Sequence, residues 1–369
     1  MTNIEPGDRF ATGRAFPRSA EELTAEWLTL VLREASAVSA DTAVREIGLE
    51  PIGAGSGMAG SLVRLVLTYD AGGTGGPPSV VAKFSASDDR RRSIMGALLG
   101  VYEREVRFYS TLADRVRMVT PICYYAAFQP ETHHSVLLLE DLTGETMGAD
   151  DESCSPEEGD MAMAAVARMH AAWWNSPELA PMSWLRREQV PDPEVTEMIR
   201  ACYPKFRERF GAAVASELWP ILDRLASGEA PIFSAASTLY HGDFSPKNVC
   251  FRKDATVVAF DWQLVGQGPP ALDLLRFLMA AVQTPAGRQR VDDVLTTYQA
   301  ALASEGVMGY ARNALQRDCM AAAALTLQRA LAIGGAPEEI DDLRTETVLR
   351  TLEQVALLLQ GADPQELFE

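Results

Sequence analysis

The stretch LYHGDFSPKNVCF, residues 239–251, places three side chains able to do chemistry inside one short polar interruption between apolar flanks. They are His241, Asp243 and Asn248, and Asp261 follows after one further strand-like run, TVVAF. Two carboxylates and an amide therefore bracket a predicted strand-loop-strand hairpin. Their oxygens suit Mg²⁺, which keeps waters and binds phosphates alongside a few protein groups. The alternative is an Asx-rich turn that stabilises the hairpin.

A glycine-rich segment, GAGSGMAGS, is a second candidate for phosphate binding. Gly55, Gly57 and Gly60 match G-x-G-x-x-G, which is a weak signal alone because glycine-rich turns are common. A dinucleotide fingerprint must open a helix, whereas the following SLVRLVLTYD alternates like a strand. The pattern favours a glycine-rich hairpin over nucleotide phosphates and disfavours a nicotinamide oxidoreductase.

Lys83 and Glu105 are the next candidates, at the end of the apolar run VVAK and in the helical stretch YEREVRFY. A lysine at the end of a buried strand commonly reaches solvent along its alkyl chain, and its removal would then cost little stability. Glu105 alone predicts an exposed helix charge that pairs with Arg104 or Arg107. The functional alternative is that Lys83 and Glu105 pair with each other.

The order of these elements favours the functional alternative. Asp243 and Asn248 are five residues apart, as in the kinase pattern H-R-D-x-x-x-x-N, and Asp261 stands where D-F-G would follow. A glycine-rich hairpin, Lys83 and Glu105 precede them in the order that kinases use. Five elements in one order make coincidence a poor explanation.

The first part of the chain predicts one helix and an antiparallel sheet. Residues 19–35 carry leucines at helical spacing after a capping box of Ser19 and Glu22. Short runs rich in β-branched residues predict strands, namely VREIGLEPIG, SLVRLVLTYD, SVVAKFSA, YYAAFQ and SVLLLEDL. A helix from about residue 94 to 112 lies between the third run and the fourth.

The pattern changes near residue 145. From Ser155 onward nearly everything is helical, beginning with a capping box in which Glu158 answers Ser155. The fold class predicted is therefore α+β, with an N-terminal antiparallel sheet lobe over residues 1–141 and a mostly helical C-terminal lobe over residues 142–369.

Composition excludes several partners. With 47% hydrophobic and 23% charged residues the chain is an ordinary folded protein, and its net charge of -18 would repel polyanions. We therefore expect no nucleic acid and no anionic membrane as partner. The start lacks a signal pattern, no window reaches the length of a membrane span, and the five cysteines include no C-x-x-C pair. These features predict a cytoplasmic protein with reduced thiols.

The chain resembles the aminoglycoside phosphotransferase and choline kinase-like superfamily, and within it the ecdysteroid kinase-like branch. The segments that carry the resemblance are HGDFSPKNVCF, VVAFDWQLVGQGPPALDLLRFL, VLLLEDL and VARMHAAWW, within roughly residues 50–280. The resemblance implies a two-lobed, protein-kinase-like fold that transfers the γ-phosphoryl group of ATP, with Mg²⁺, to a hydroxyl of a small molecule.

The resemblance also implies roles for the candidate residues. By that match Asp243 is the catalytic base, and Asn248 and Asp261 are the Mg²⁺ ligands. Lys83 is the ligand of the α- and β-phosphates and is held by Glu105. The segment from Glu140 to Leu142 is the hinge whose backbone meets the adenine. A nucleotide-binding pseudokinase, used as a binding module, is the alternative, although intact catalytic positions argue against it.

Departures from the protein-kinase pattern are informative. Trp262 and Gln263 replace Phe-Gly, and a helix begins at Asp273, twelve residues after Asp261. This spacing leaves no room for an activation loop, disfavours peptide substrates and predicts activity without phosphorylation. As the first residue of a helix, Asp273 predicts an N-cap. His170, between alanines and tryptophans, predicts a satisfied core histidine.

Overall fold

The computed structural model describes residues 15–52, 60–70, 75–147, 155–187, 193–282, 289–337, 340–360 and 363–368. The chain forms two compact units. The first consists of residues 1–147 together with 248–265, and the second of residues 148–247 together with 266–369. The division into lobes at residue 141 stays a prediction, and the contacts add the segment 248–265 to the first unit.

The first unit is built on a five-stranded antiparallel sheet with the strand order β1-β2-β3-β5-β4. Its strands are β1 (Val44–Ile52), β2 (Gly60–Tyr69), β3 (Ser79–Ser85), β4 (Cys123–Gln129) and β5 (His134–Glu140). The five predicted strand runs are thereby confirmed. A smaller sheet, in the order β10-β9-β6, contains β6 (Thr146–Met147), β9 (Val249–Phe251) and β10 (Val257–Ala259).

The core of this unit lies between the sheet and the helix α1 (Ala25–Glu34). Leu28 and Leu32 of the helix and Leu65, Val80 and Leu138 of the sheet are fully buried. Burial of each such side chain stabilises the fold by about 1.5–3 kcal/mol relative to an exposed position. The alternation of apolar residues along the strands is therefore what fixes the sheet against α1.

The helix α1 begins later than predicted. Residues 20–22 form a short 3-10 turn, the Ser19 side chain makes no capping hydrogen bond, and Leu23 is extended. The Thr24 hydroxyl accepts a hydrogen bond from the backbone N–H of Trp27 at 3.1 Å, so Thr24 is the N-cap. The predicted capping box was wrong because the extended backbone at Leu23 interrupts the helix.

The second predicted helix is also divided. The short helix α2 (Asp89–Ser93) continues as a π-helical turn, and α3 (Val101–Thr111) begins after Gly100. Gly100 has φ of 63°, a left-handed conformation that glycine adopts without strain. The single helix predicted over residues 94–112 was therefore wrong at its start.

The second unit is mostly helical, as predicted. Its helices are α4 (Pro156–Ala172), α5 (Pro193–Phe210), α6 (Trp219–Ser227), α7 (Ala271–Ala281), α8 (Val291–Ser304), α9 (Arg312–Gly334) and α10 (Asp342–Leu358). The capping box of Ser155 and Glu158 is present at the start of α4. Three short strands, β7 (Arg186–Arg187), β8 (Thr238–Tyr240) and β11 (Gly266–Gly268), form a sheet in the order β7-β11-β8.

The helices of the second unit share one apolar core. Phe206 of α5, Leu222 of α6, Leu327 of α9 and Val348 of α10 are fully buried within it. Close packing of such side chains makes the scaffold rigid, because a change of even one methylene is felt by its neighbours. Across the described residues, no helix combines the length and the apolar character that a membrane crossing requires.

Gly60 shows why one of the motif glycines is needed in the folded sheet. It is the first residue of β2 and pairs with Ser85 of β3. A Cβ atom at this position would lie 1.9 Å from the backbone oxygen of Phe84. Glycine at residue 60 is therefore required by the close approach of two strands, whatever else the position does.

We expect Gly60→Ala to destabilise the first unit by about 1–3 kcal/mol, as overpacking commonly does. The clash is with backbone, which cannot rotate away, so the strands must separate. Gly48→Ala on β1 is the matched control, since its Cβ would meet Val66 at an ordinary 3.4 Å. Thermal unfolding without nucleotide measures both, and equal midpoints for the two variants would contradict this account.

Candidate functional site

The first unit brings Lys83, Glu105 and Asp261 together. The Lys83 ammonium lies 2.8 Å from the Glu105 carboxylate and 2.6 Å from Oδ1 of Asp261. Lys83 comes from β3, Glu105 from α3, and Asp261 follows β10, so three separate elements converge on one ammonium group. The Lys83 and Glu105 side chains are 17% and 5% exposed. Lys83 is thus a buried ion-pair partner, and the alternatives of a solvent-reaching lysine and an exposed helix charge were wrong.

The ionisation of this cluster follows from its burial and its charges. Burial acts to lower the pKa of Lys83, but Asp261 and Glu105 outweigh it and raise the pKa above its ordinary value. Burial raises the pKa of Glu105 to about 7, against the lowering influence of Lys83. The ammonium is therefore charged at neutral pH, and its charge limits how far burial raises the pKa of Glu105.

The helix α3 is fixed in place by contacts that surround Glu105. Arg104 donates to the backbone oxygens of Gln263 at 2.9 Å and Leu99 at 3.0 Å, so it ties α3 to the segment after Asp261. Phe108 stacks on Trp262 with ring centroids 4.0 Å apart and an interplanar angle of 9°. Arg104 therefore supports the orientation of Glu105 by fixing α3 through backbone oxygens.

Asn248 and Asp261 lie at the same end of one hairpin. The strands β9 and β10 pair antiparallel, and the backbone N–H of Phe260 donates to the backbone oxygen of Asn248 at 3.0 Å. Asp261 itself has φ of 65°, a left-handed conformation that is uncommon outside glycine and concentrates at functional sites. The hairpin predicted from TVVAF is thus formed, and it fixes the backbone positions of both residues.

This donor set fits a hard cation. An amide oxygen and a carboxylate are two of the few protein ligands that Mg²⁺ uses beside waters and phosphates. Asp261 already attracts a cation, since the Lys83 ammonium is 2.6 Å away. In the part of the chain that the structure describes, no group of three or more His, Cys, Asp or Glu side chains could hold a metal by itself. The metal roles of Asn248 and Asp261 stay predictions.

The predicted hinge, residues 140–142, has its acidic side chains engaged. Glu140 pairs with Arg252 at 2.5 Å, and its other oxygen accepts from the Ile122 N–H at 3.1 Å. Leu142 packs with Cys250 and Val258 in a small apolar cluster. The side chains thus hold the segment in place, and contact with adenine through the backbone of Glu140 to Leu142 stays a prediction.

Asp141, which lies between Glu140 and Leu142 in the sequence, also has its side chain hydrogen-bonded. Its Oδ2 accepts from Arg64 Nε at 2.6 Å and from the Ser79 hydroxyl at 2.5 Å. Burial would raise the pKa of Asp141, but these hydrogen bonds outweigh it and lower the pKa to about 2.

Gly55 and Gly57, the other two motif glycines, lie outside the described residues. The phosphate-binding role of the glycine-rich segment stays a prediction, for Gly60 as well.

In the second unit the carboxylate of Asp243 is held by an arginine of α7. Its Oδ1 accepts from Arg276 Nε at 2.7 Å and from Nη2 of the same guanidinium. Lys247 Nζ lies 4.0 Å from Oδ2. Burial would raise the pKa of Asp243, but the positive charges of Arg276 and Lys247 outweigh it and lower the pKa. Asp243 is therefore an ionised carboxylate.

Asp273 holds the backbone just before this carboxylate. Its oxygens accept from the backbone N–H groups of His241 and Gly242, both at 2.7 Å. The N-cap predicted for Asp273 was wrong, because α7 begins at Ala271 and the carboxylate turns inward to the loop. Gly242 has φ of 87°, which a glycine adopts without strain.

A buried network completes the binding of Asp273. His170 of α4 places Nε2 at 3.2 Å from Asp273 Oδ2 and Nδ1 at 2.9 Å from the Tyr298 hydroxyl. All of these side chains are fully buried. The prediction of a satisfied core histidine is confirmed.

Arg104, Arg276 and the inward role of Asp273 were missed by the sequence interpretation. Arg104 was weighed only as a helix-surface partner of Glu105. For α7 a signal existed: Asp273 and Arg276 are three residues apart within an otherwise apolar helix, ALDLLRFL, and therefore lie on one face. Two charges on one face of a buried helix need polar partners, and the nearest polar segment of the motif is HGD.

The sequence matches the model of one protein family, described as the ecdysteroid kinase-like family, over residues 54–306. The match spans more than half of the chain and contains the glycine-rich segment, the Lys83 cluster and the HGD loop. The chain belongs to the ecdysteroid kinase-like family. The resemblance to the ecdysteroid kinase-like branch is thus confirmed. Among curated proteins, none matches the chain significantly.

Solved structures show that this family member has the fold of small-molecule phosphotransferases. One neighbour, provisionally described as an aminoglycoside phosphotransferase from Ralstonia eutropha, has a TM-score of 0.56 and 14% identity, covering 91% of this chain and 97% of its own. The choline kinase from Cryptosporidium parvum has a TM-score of 0.52 and 13% identity, covering 93% and 99%. A spectinomycin phosphotransferase in complex with ADP and spectinomycin has a TM-score of 0.51 and 11% identity, and the match covers 94% of this chain and 100% of its own. At these identities the likeness establishes the fold alone.

We expect Lys83→Met to destabilise the first unit increasingly as pH rises. Without the ammonium, the pKa of Glu105 moves above about 7, so the folded state keeps a proton that the unfolded chain releases near the ordinary value of 4.5. The stability that protonated Glu105 contributes is then fully present below about pH 4.5, and it is lost as the pH rises through the pKa of Glu105 in the folded state. At alkaline pH the loss approaches the about 3–5 kcal/mol typical of a broken buried pair.

The measurement is chemical denaturation at mildly acidic and at alkaline pH. The double variant Lys83→Met with Glu105→Gln is the control, since a neutral amide removes the buried charge and should flatten the pH dependence. A single variant as stable as the parent at alkaline pH would show that the ammonium does not hold Glu105.

Proposed function

We propose that the protein is an ATP- and Mg²⁺-dependent phosphotransferase that moves the γ-phosphoryl group to a hydroxyl of a small molecule. The observation that carries the proposal is the cluster of Lys83, Glu105 and Asp261, because these three residues come from distant parts of the sequence and meet at ion-pair distances. That convergence matches the kinase arrangement of a phosphate-binding lysine, its glutamate and a metal-binding aspartate. Family membership supports it.

In this proposal Lys83 binds the α- and β-phosphates of the nucleotide, and Glu105 keeps its ammonium in place. Asn248 and Asp261 hold Mg²⁺, which supplies positive charge against the phosphates when bound. Gly55, Gly57 and Gly60 belong to the loop over the phosphates, and the backbone from Glu140 to Leu142 binds adenine. Structural neighbours in complex with ADP or AMP-PNP support nucleotide binding.

Asp243 is the base in this proposal. Because its carboxylate is ionised, it can accept the proton of the attacking hydroxyl as the oxygen forms its bond to phosphorus. The Asp273 carboxylate binds the backbone N–H groups of His241 and Gly242, which directly precede Asp243. The position of the base is therefore set by α7, which carries Asp273. The buried free thiols Cys250 and Cys319 support a reducing, cytoplasmic location.

The acceptor is a small-molecule alcohol. Neighbours of the same fold include an amicoumacin kinase, a spectinomycin phosphotransferase and a choline kinase, so one scaffold serves unrelated acceptors. A coupled ADP-release screen over aminoglycosides, macrolides, choline analogues, sterols and sugars tests the proposal. Acceptor-dependent ADP formation supports it. Mg²⁺-ATP binding without turnover on any acceptor would favour a pseudokinase instead.

We expect Asp243→Asn and Asp261→Asn to fail in different ways. Asp243→Asn should bind Mg²⁺-ATP with near-parent affinity and turn over about 10²- to 10⁴-fold more slowly, because it loses the base alone. Asp261→Asn should lose metal-dependent affinity as well, since a neutral amide is a weaker ligand for a hard dication. Calorimetric titration of Mg²⁺-ATP beside initial rates separates them. Normal turnover of Asp243→Asn would favour the Asx-turn alternative.

We also expect the protein to be active as translated. The helix α7 begins at Ala271, ten residues after Asp261, so no long loop stands between them to be ordered by a phosphate. Phosphatase-treated protein, shown by mass spectrometry to carry no phosphate, should keep the full rate. Loss of activity on this treatment would contradict the expectation.

A further inference from the structure

We propose that Arg64 is a positioning residue for nucleotide binding, which acts through Asp141 to fix the backbone between Glu140 and Leu142. This inference rests on the proposed function, since it concerns the segment assigned there to adenine. Its basis is a side chain of β2 that reaches past the neighbouring strand β3 and binds the residue directly after β5. An arginine of the sheet thus sets the affinity for the base of the nucleotide.

Arg64 links three strands of the large sheet at the end of β5. Its Nε donates to Asp141 Oδ2 at 2.6 Å, its Nη2 to the Ser79 hydroxyl of β3 at 3.3 Å, and its Nη1 to Glu50 of β1 at 2.8 Å. The Ser79 hydroxyl donates to the same oxygen of Asp141 at 2.5 Å. Because a guanidinium is a planar fork with fixed N–H directions, these contacts define where the Asp141 carboxylate lies.

The Asp141 carboxylate passes this constraint on to the backbone. Its other oxygen, Oδ1, accepts from the backbone N–H of Thr143 at 3.0 Å, so the carboxylate closes a turn that contains Leu142. The Asp141 side chain is 6% exposed, and the hydrogen bonds that lower its pKa to about 2 keep it ionised through the neutral range. The turn is therefore closed by a charge-assisted hydrogen bond, which is stronger than a neutral one.

The two ends of the segment are held as well. The Glu140 carboxylate pairs with Arg252, directly after β9, and the Leu142 side chain packs in the small apolar cluster described above. Side-chain contacts on all three residues thus restrict how the backbone groups between them can turn. Recognition of the flat edge of a base needs such a fixed direction, because hydrogen bonds weaken steeply when they are misaligned.

The effect of Arg64 is expected at the base end of the nucleotide and not at the phosphates. Lys83, assigned to the phosphates, is held by Glu105 and Asp261, and these ion pairs do not involve Arg64. Removal of the arginine therefore weakens binding of the base and leaves the transfer step unchanged. A loss of about one well-aligned hydrogen bond corresponds to a loss of about tenfold in affinity.

The test compares Arg64→Met with the parent and with Glu50→Gln. Glu50→Gln is the matched control, because it removes the exposed partner of the same arginine and leaves the contact with Asp141. The probes are Mg²⁺-ATP in calorimetry, adenosine and Mg²⁺-tripolyphosphate as its competitors, and ADP release with water and with the compounds of the screen.

We expect Arg64→Met to raise three constants about tenfold, namely the Kd and KM for Mg²⁺-ATP and the inhibition constant of adenosine. The inhibition constant of tripolyphosphate, which lacks a base, should not change. The kcat at saturating ATP should also stay at the parent value, because the base is then bound in both proteins. Glu50→Gln should match the parent in every constant.

Two further variants separate positioning from a merely structural role, at a temperature where thermal unfolding shows each protein to be folded. In the Asp141→Ala background, Arg64→Met should raise the KM no further, because the arginine acts through the carboxylate. Arg64→Lys keeps the charge without the fork, so its KM should lie between those of the parent and of Arg64→Met. This variant carries the comparison if Arg64→Met is too unstable to assay.

The outcomes distinguish this inference from the function on which it rests. A parent that does not bind Mg²⁺-ATP overturns both. A parent that binds and turns over, with Arg64→Met and Arg64→Lys at the parent KM, overturns only the role of Arg64. A loss for tripolyphosphate as large as that for adenosine, or an effect of Glu50→Gln equal to that of Arg64→Met, also overturns it, because the effect then does not come from the base through Asp141.

Discussion

A carboxylate enclosed in apolar surroundings must be hydrogen-bonded. The helical unit must therefore supply hydrogen-bond partners for Asp273. Its side chain is fully buried, and it is satisfied by the N–H groups of His241 and Gly242 and by His170. The loop can bind it only because Gly242 takes a positive φ. Leaving such a group without partners would cost several kcal/mol, so the path of the HGD loop, the placement of α7 and the packing of α4 are fixed together.

The first unit depends on a buried ion-pair cluster in which the central group is a cation and its partners are anions. There one ammonium, Lys83, joins two carboxylates, and the elements that carry them are a strand, a helix and the end of a hairpin. Arg104 and the stacking of Phe108 on Trp262 hold the helix and the segment after Asp261 to each other. Orientation is thus supplied by ring stacking and by hydrogen bonds from a guanidinium to backbone oxygens, in addition to the ion pairs of Lys83.

The sequence predicted the sheet, the helical unit and the order of the polar residues, because these follow from local periodicity and spacing. The strand runs and the capping box at Ser155 are local signals, and both were confirmed. The start of α1 and the break at Gly100 were missed through local backbone conformation, whereas the errors at Asp273 and Lys83 arose where a distant contact decided the outcome. The Asp273 side chain points away from the helix end because it accepts hydrogen bonds from buried backbone N–H groups of a distant loop. Lys83 is enclosed because Glu105 of α3 pairs with it. For Lys83 the neighbouring residues give no sign of this contact, whereas for Asp273 the only local sign is the charge of Arg276 on the same face of an otherwise apolar helix.

The pairing of Lys83 with Asp261 has a consequence for how the protein is made and stored. In many metal-dependent sites, neighbouring carboxylates repel one another until the cation arrives, so that folding waits for the metal. Here a covalently attached ammonium at 2.6 Å serves as the resident counterion of Asp261 and of Glu105. We therefore expect this unit to fold without a divalent metal. Under the proposed function, a divalent cation would meet an aspartate whose charge an ammonium already balances, so the metal would be needed for turnover and not for folding.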